Sequence, residues 1–234
     1  MAGSIAAGMD PIIAMILSLV VGTVFGAVNG LLITKGNMAP FIATLATMTI
    51  YRGLTLVYTD GNPITGIGDS FIFKFVGRGY LFGIPFPVVL MIISFILLFI
   101  LLHKMTFGRK TFAIGGNEKA SFIAGIKNDR IKTGIYALSG LMASLAGIII
   151  TSRLDSAQPT AGTSYEMDAI ASVVLGGTSL SGGRGRLVGT LIGALIIGTL
   201  NNGMNLLGIS SFYQQVVKGI VIIIAVLLDR KNKK

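Results

Sequence analysis

Three amides close together, Asn201, Asn202 and Asn205, are the groups of this sequence best suited to holding a polar solute. They interrupt an apolar run, LVGTLIGALIIGTLNNGMNL. Asn202 and Asn205 are three residues apart, so on a helix they share a face. An amide in such a segment must find hydrogen-bond partners. Bonding to a neighbouring helix is one use; a polar lining for a hydroxyl-rich solute is the other. Arg52 and Lys218 are the cations that fall inside apolar runs. Each can serve a pathway or carry its charge to the membrane surface along its own stem. Arg52 sits about seven residues from the outer end of its run, roughly 10 Å deep.

Several chemistries are excluded. There is no cysteine and a single histidine, which removes disulfides, thiol nucleophiles and Cys/His zinc sites together. His103 abuts Lys104 at the end of a long apolar run and reads as a helix-end residue. No G-x-x-x-x-G-K-[ST] is present; the glycine-rich GGTSLSGGRGRLVG has no Gly-Lys pair. No catalytic residue and no metal site is therefore expected, and the chain does not read as an enzyme. The acidic residues all fall at segment ends or in loops. A proton- or sodium-coupled carrier keeps an ionisable group at mid-membrane, so energy is expected from a partner.

The elements that must position these groups are membrane helices. Hydrophobic residues make up 53% of the 234-residue chain and charged residues 12%, with mean hydropathy +0.82. A charge at the bilayer centre costs about 2.5–3.5 kcal/mol on insertion scales, which accounts for the scarcity. Runs long enough to span cover residues 11–34, 38–59, 80–103, 134–152, 187–207 and 213–229. The segment 166–183 is short and rich in Gly and Ser; it reads as a short or broken helix crossing inward, with a re-entrant loop as the alternative. An all-α, polytopic bundle of about six to seven membrane segments results.

Charge sets the orientation. Lys104, Arg109, Lys110, Lys119, Lys127, Arg130 and Lys132 cluster in 104–132, and Arg230, Lys231, Lys233 and Lys234 at the C-terminus. Both regions are expected in the cytoplasm. The loop 60–79, with Asp60, Asp69, Lys74 and Arg78, fits the outside, as does Asp10. The net charge of +10 then follows from topology, with no need of nucleic acid as a partner. Small residues at every fourth position mark smooth faces where backbones can approach: Gly22, Gly26 and Gly30; Gly189 and Gly193; Ala143 and Gly147.

The cytoplasmic stretch 104–132 is where a partner would push. A glycine pair ending at Gly116 is followed by Asn117 as a plausible N-cap, and Glu118 falls in the first turn, where its charge suits the dipole. Ala120, Ile123 and Ala124, with Phe122 and Ile126 beside them, make a short, partly apolar helix. It is either a docking element or an ordinary helix lying on the membrane.

The stretch GGNEKASFIAGI, then SRLDSAQPTAGTSYEMDAIASVVLGGTSLSGGRGRLVGTLIGALIIGTLNNGMNLLGISSFYQQVVKGIVIIIAVLLDRK, resembles the ribose permease subunits of bacterial ATP-binding-cassette importers. ITKGNMAPFIATLATMTIYRGLTLVYTDGNPITG resembles them too, and the likeness runs from about residue 10 to the end. The resemblance implies a type II-like importer permease of the bacterial plasma membrane, a single membrane domain over 1–234 working as a homodimer. A cytoplasmic ATPase, holding the ATP and magnesium, would dock on Gly116, Asn117, Glu118, Ala120 and Gly125. An extracytoplasmic binding protein would deliver ribose or a similar monosaccharide. A permease of the same class for another small solute, or an ATPase-independent carrier, is the alternative. Family members carry further helices and a Gly-Ile-Asp-Leu-Ser motif before the equivalent of Met1, so the chain reads as N-terminally truncated.

Overall fold

The structure is a computed structural model and describes residues 1–67 and 70–231. The expectations for Asp69, Lys233 and Lys234 lie outside the described residues. The described chain is helical: α1 (Ala2–Ala6), α2 (Pro11–Thr34), α3 (Pro40–Thr59), α4 (Phe71–Arg78), α5 (Phe86–His103), α6 (Thr106–Gly116), α7 (Glu118–Ile123), α8 (Asn128–Leu154), α9 (Tyr165–Leu175), α10 (Leu187–Leu206) and α11 (Ser211–Lys231). Two-residue strands β1 (Ile64–Thr65) and β4 (Ser156–Ala157) pair antiparallel, as do β2 (Tyr80–Leu81) and β3 (Ile84–Pro85).

Helix ends follow local chemistry. The Asp10 carboxylate accepts from the amides of Ile12 at 2.8 Å and Ile13 at 3.3 Å, and Pro11 opens α2. That arrangement satisfies amides a helix start leaves unpaired. Pro40 opens α3 in the same way. Asp60 and Asp155 end α3 and α8 in left-handed backbone, which aspartate tolerates better than most residues.

Five helices, α2, α3, α5, α8 and α10, are long and apolar enough to span a membrane. Their most apolar stretches are no more than 17% buried within the protein, and α5 has no buried residue. So much exposed apolar surface needs lipid to cover it. The chain is a multi-pass membrane protein. One span differs from the sequence expectation, and one segment takes the short, broken form that the sequence suggested. The run 80–103 begins with the β2–β3 hairpin, because Gly83 turns the chain at φ +81 before the helix starts at Phe86. In 166–183 only α9 is helical, and 176–186 are irregular. Its eleven residues reach about 16 Å, roughly half of a hydrocarbon core. It is thus a short helix followed by a glycine-rich connector.

The described residues form two compact units. The first takes Met1–Phe107 and Lys127–Ala161. Its spine is α2 against α8. Gly22, Gly26 and Gly30 face Ser144, Tyr136, Ala137 and Thr133, and Gly140 lies against the α2 backbone in return. Without side chains at these points the helix backbones touch. Gly26→Leu is therefore expected to lower the unfolding midpoint of the purified protein, a loss of about 3 kcal/mol from overpacking. Gly147→Leu, on open surface of α8, should change it little. The second small-residue pair of α8 thus does not pack as its spacing suggested. Both Ala143 and Gly147 are exposed, because spacing shows that a face is smooth, not which face another helix meets. Beside this spine, α4 seats Phe73, fully buried, against Ala14, Ile67 and α8. The Ser152 hydroxyl donates to the Phe73 carbonyl, and Arg78 Nε donates to the Arg153 carbonyl at 2.9 Å.

The second unit takes Gly108–Ile126 and the chain from Gly162 onward. Here α9 packs on both α10 and α11. Gly193 meets the Ser172 carbonyl, and Gly176 and Gly189 meet backbone to backbone. The second unit therefore uses its Gly189/Gly193 face as the sequence led one to expect.

Candidate functional site

The first site is α7. Asn117 caps it: its Oδ1 accepts from the Ala120 amide at 3.0 Å, and its own amide donates to Ala113 at 3.0 Å. Glu118 lies in the first turn. At the other end Gly125 adopts φ +81. Its amide donates to the Phe122 carbonyl at 3.0 Å, and the Ile126 amide donates to the Ser121 carbonyl at 3.1 Å. This pair of bonds is a Schellman stop, which wants glycine at the left-handed position. So Asn117 and Gly125 make the helix, and Glu118 and Ala120 are exposed along it. Gly116 ends α6, immediately before the cap. Of the six helical residues only Ser121 is buried; Phe122 is 72% exposed and Ile123 84%. A short capped helix that offers two large apolar side chains can seat in a partner or lie on the membrane.

The second site lies among α9, α10 and α11. Lys218 Nζ donates to Asp168 Oδ2 at 2.8 Å, an ion pair with both side chains about four-fifths buried. Asn201 Nδ2 donates to the same oxygen at 3.4 Å. Asp168 is also in the first turn of α9, where the helix dipole favours a negative charge. The other side-chain oxygens, Asp168 Oδ1 and Asn201 Oδ1, are buried with no hydrogen-bond partner among the described residues. Asn205 takes a different neighbour: its Oδ1 accepts from Gln214 Nε2 at 2.8 Å. Asn202 is exposed. The amide cluster thus divides, Asn201 and Asn205 bonding to other helices and Asn202 facing outward. Arg52, half-buried on α3, belongs to the first unit.

Sequence reasoning left Lys218 either serving a pathway or carrying its charge to the membrane surface, and put Asp168 with the acidic residues at segment ends or in loops without a role. The structure pairs them. The available signal was charge complementarity: one carboxylate at the start of an apolar segment and one ammonium within another. Fifty residues of chain separate them, so only tertiary packing joins them.

A family model described as the branched-chain amino acid transport system/permease component matches residues 1–226. This chain belongs to that permease family. The ribose import permease protein of Bacillus subtilis is 70% identical over 231 residues, which cover 99% of this chain and 72% of that protein. The ribose import permease proteins of Haemophilus influenzae and Escherichia coli K12 are 53% and 52% identical. The matched regions cover 97% and 96% of this permease and 72% and 71% of those relatives. No solved structure matches it. The permease is a transport subunit and not an enzyme, and its exposed apolar helices are those of a multi-pass membrane protein.

Proposed function

We infer that this chain is the membrane-spanning permease subunit of an ATP-driven, binding-protein-dependent ribose importer. The observation that carries it is the identity to ribose import permeases over nearly the whole chain. The exposed, doubly capped α7 supports the same reading, because an importer without its own ATPase needs a surface to receive one. In this reading the ATPase and an extracytoplasmic binding protein are partners, and ATP with magnesium is held by the ATPase. A second copy of the chain completes the pathway. The membrane is the bacterial plasma membrane, with α7 and the C-terminus in the cytoplasm, as the basic residues of 104–132 and the C-terminal end favour.

The ATPase meets the permease at α7, with Gly116, Asn117, Glu118, Ala120 and Gly125 shaping the helix and Phe122 and Ile123 entering the partner. The sugar path uses the polar groups of the second unit. Asp168 and Asn201 each offer a buried oxygen acceptor, and hydroxyl-rich solutes bring donors. Asn202 and Asn205 are further candidates for that path; Arg52, in the first unit, is a separate candidate by itself.

The test is labelled ribose uptake in cells that lack their own ribose permease but keep the ATPase and binding protein. Expressing this chain, as given or extended with a family-like N-terminal region, should restore uptake, and inactivating the ATPase should remove it. Uptake that persists without the ATPase would make the chain a secondary carrier. Uptake of another pentose or hexose in preference to ribose would reassign the solute.

A further inference from the structure

The Gly182-Gly183 pair of the GGTSLSGGRGR stretch has no role in the reading so far, yet it makes a close backbone contact within the second unit. α7 by itself grips little, since Ser121 is its one buried residue. A push received there must reach the pathway helices by another contact. The residues immediately before α7 supply it. Gly115 and Gly116 lie directly against Gly182 and Gly183 of the connector after α9. A Cβ on Gly115 would sit 2.7 Å from the Gly183 nitrogen, and a Cβ on Gly183 would sit 2.9 Å from the Gly116 Cα. A Cβ on Gly182 would overlap the Gly115 carbonyl oxygen. The opposing atoms are all backbone and cannot rotate aside.

The connector is itself stiff. The Ser179 amide donates to the Arg184 carbonyl at 3.0 Å, the Gly182 amide to Ser179 at 3.1 Å, and the Thr178 amide to Val173 of α9 at 3.1 Å. Gly182 and Gly183 hold left-handed backbone at φ +86 and +73. One turn earlier Gly176 rests on the backbone of Gly189 in α10. From Gly116, next to the N-cap of α7, to Gly189 of α10 the path is therefore two backbone contacts joined by the hydrogen-bonded connector between Gly176 and Gly183.

We propose that Gly115, Gly182 and Gly183 form a latch that makes α7 and the α9–α10 pair move as one body, so that events at the ATPase are delivered to the sugar path. These are positioning residues: they touch neither sugar nor nucleotide. The proposal rests on the reading of α7 as the ATPase-facing helix. A layer of close-packed backbone transmits a shift that loosely packed side chains would dissipate.

The test uses proteoliposomes holding the permease, its ATPase and its binding protein. It measures bound ATPase, ATP hydrolysis and ribose imported. Gly115→Ala should leave the ATPase bound and hydrolysing while ribose imported per ATP falls about ten-fold. Alanine favours helix over glycine, so the loss cannot arise from weakening α6. Gly183→Ala should act alike. Gly198→Ala, on open surface of α10, should keep the wild-type ratio. Gly183→Ala is the variant at risk of misfolding, being in left-handed backbone; if it misfolds, Gly115→Ala decides the matter alone. A wild-type ratio in Gly115→Ala with the ATPase bound overturns the latch. So does loss of ATPase binding in that variant, which would make the contact part of the docking surface. If Phe122→Asp combined with Ile123→Asp leaves the ATPase bound, the reading of α7 fails first, and the latch with it.

Discussion

Replacing Phe122 and Ile123 together by aspartate is expected to release the ATPase from the membrane while the permease remains inserted and folded. Both side chains stand in the open, at 72% and 84% exposure, so neither contributes to the core. The helix that carries them is held by its caps, which the substitutions do not touch. Losing two central apolar anchors costs about 4 kcal/mol of binding, or roughly a thousand-fold in Kd. Two carboxylates in the partner's apolar pocket add a desolvation cost. Titration of purified ATPase onto the permease in lipid nanodiscs measures this directly. Unchanged binding would remove α7 from the interface. Asn117→Pro should weaken binding by another route, because proline lacks both the capping oxygen and the amide that donates to Ala113. Gly125→Trp has space around it but not the conformation; a left-handed backbone costs an L-residue about 1–2 kcal/mol.

The second large effect concerns the Asp168–Lys218 pair. Lys218→Met should lower stability by about 3 kcal/mol, because it strands a carboxylate in largely apolar surroundings. Asp168→Asn should do similar harm by stranding the ammonium. The double variant should recover much of the loss, since neither charge then remains. Thermal unfolding of the three purified proteins, read as a double-mutant cycle, measures the coupling. A loss within about 0.5 kcal/mol for each single variant would mean that water already screens the pair, as at exposed surfaces.

Why some of this was legible and some was not is clearest residue by residue. Asn117 and Glu118 announced the start of α7 because an N-cap is local chemistry, a side-chain acceptor three residues before an amide, whereas the left-handed stop at Gly125 came from the structure. The spans of α2, α3, α5, α8 and α10 were legible because lipid forbids charge over a fixed length. Gly22, Gly26 and Gly30 named a packing face correctly, whereas Ala143 and Gly147 named one that is exposed among the described residues. Spacing along a helix carries no information about the other partner.

The sequence alone thus determined the membrane class, the short capped helix α7 and the likeness to ribose permeases. All three depend on composition or on residues near one another in the chain. The tertiary structure decided which groups meet across distance. Lys218 reaches Asp168 and Asn201, Asn205 turns to Gln214, and Gly115 rests against the backbone of Gly183. Each of these contacts joins different helices, or a helix to a connector, and is set by packing, which forms only when the whole unit closes.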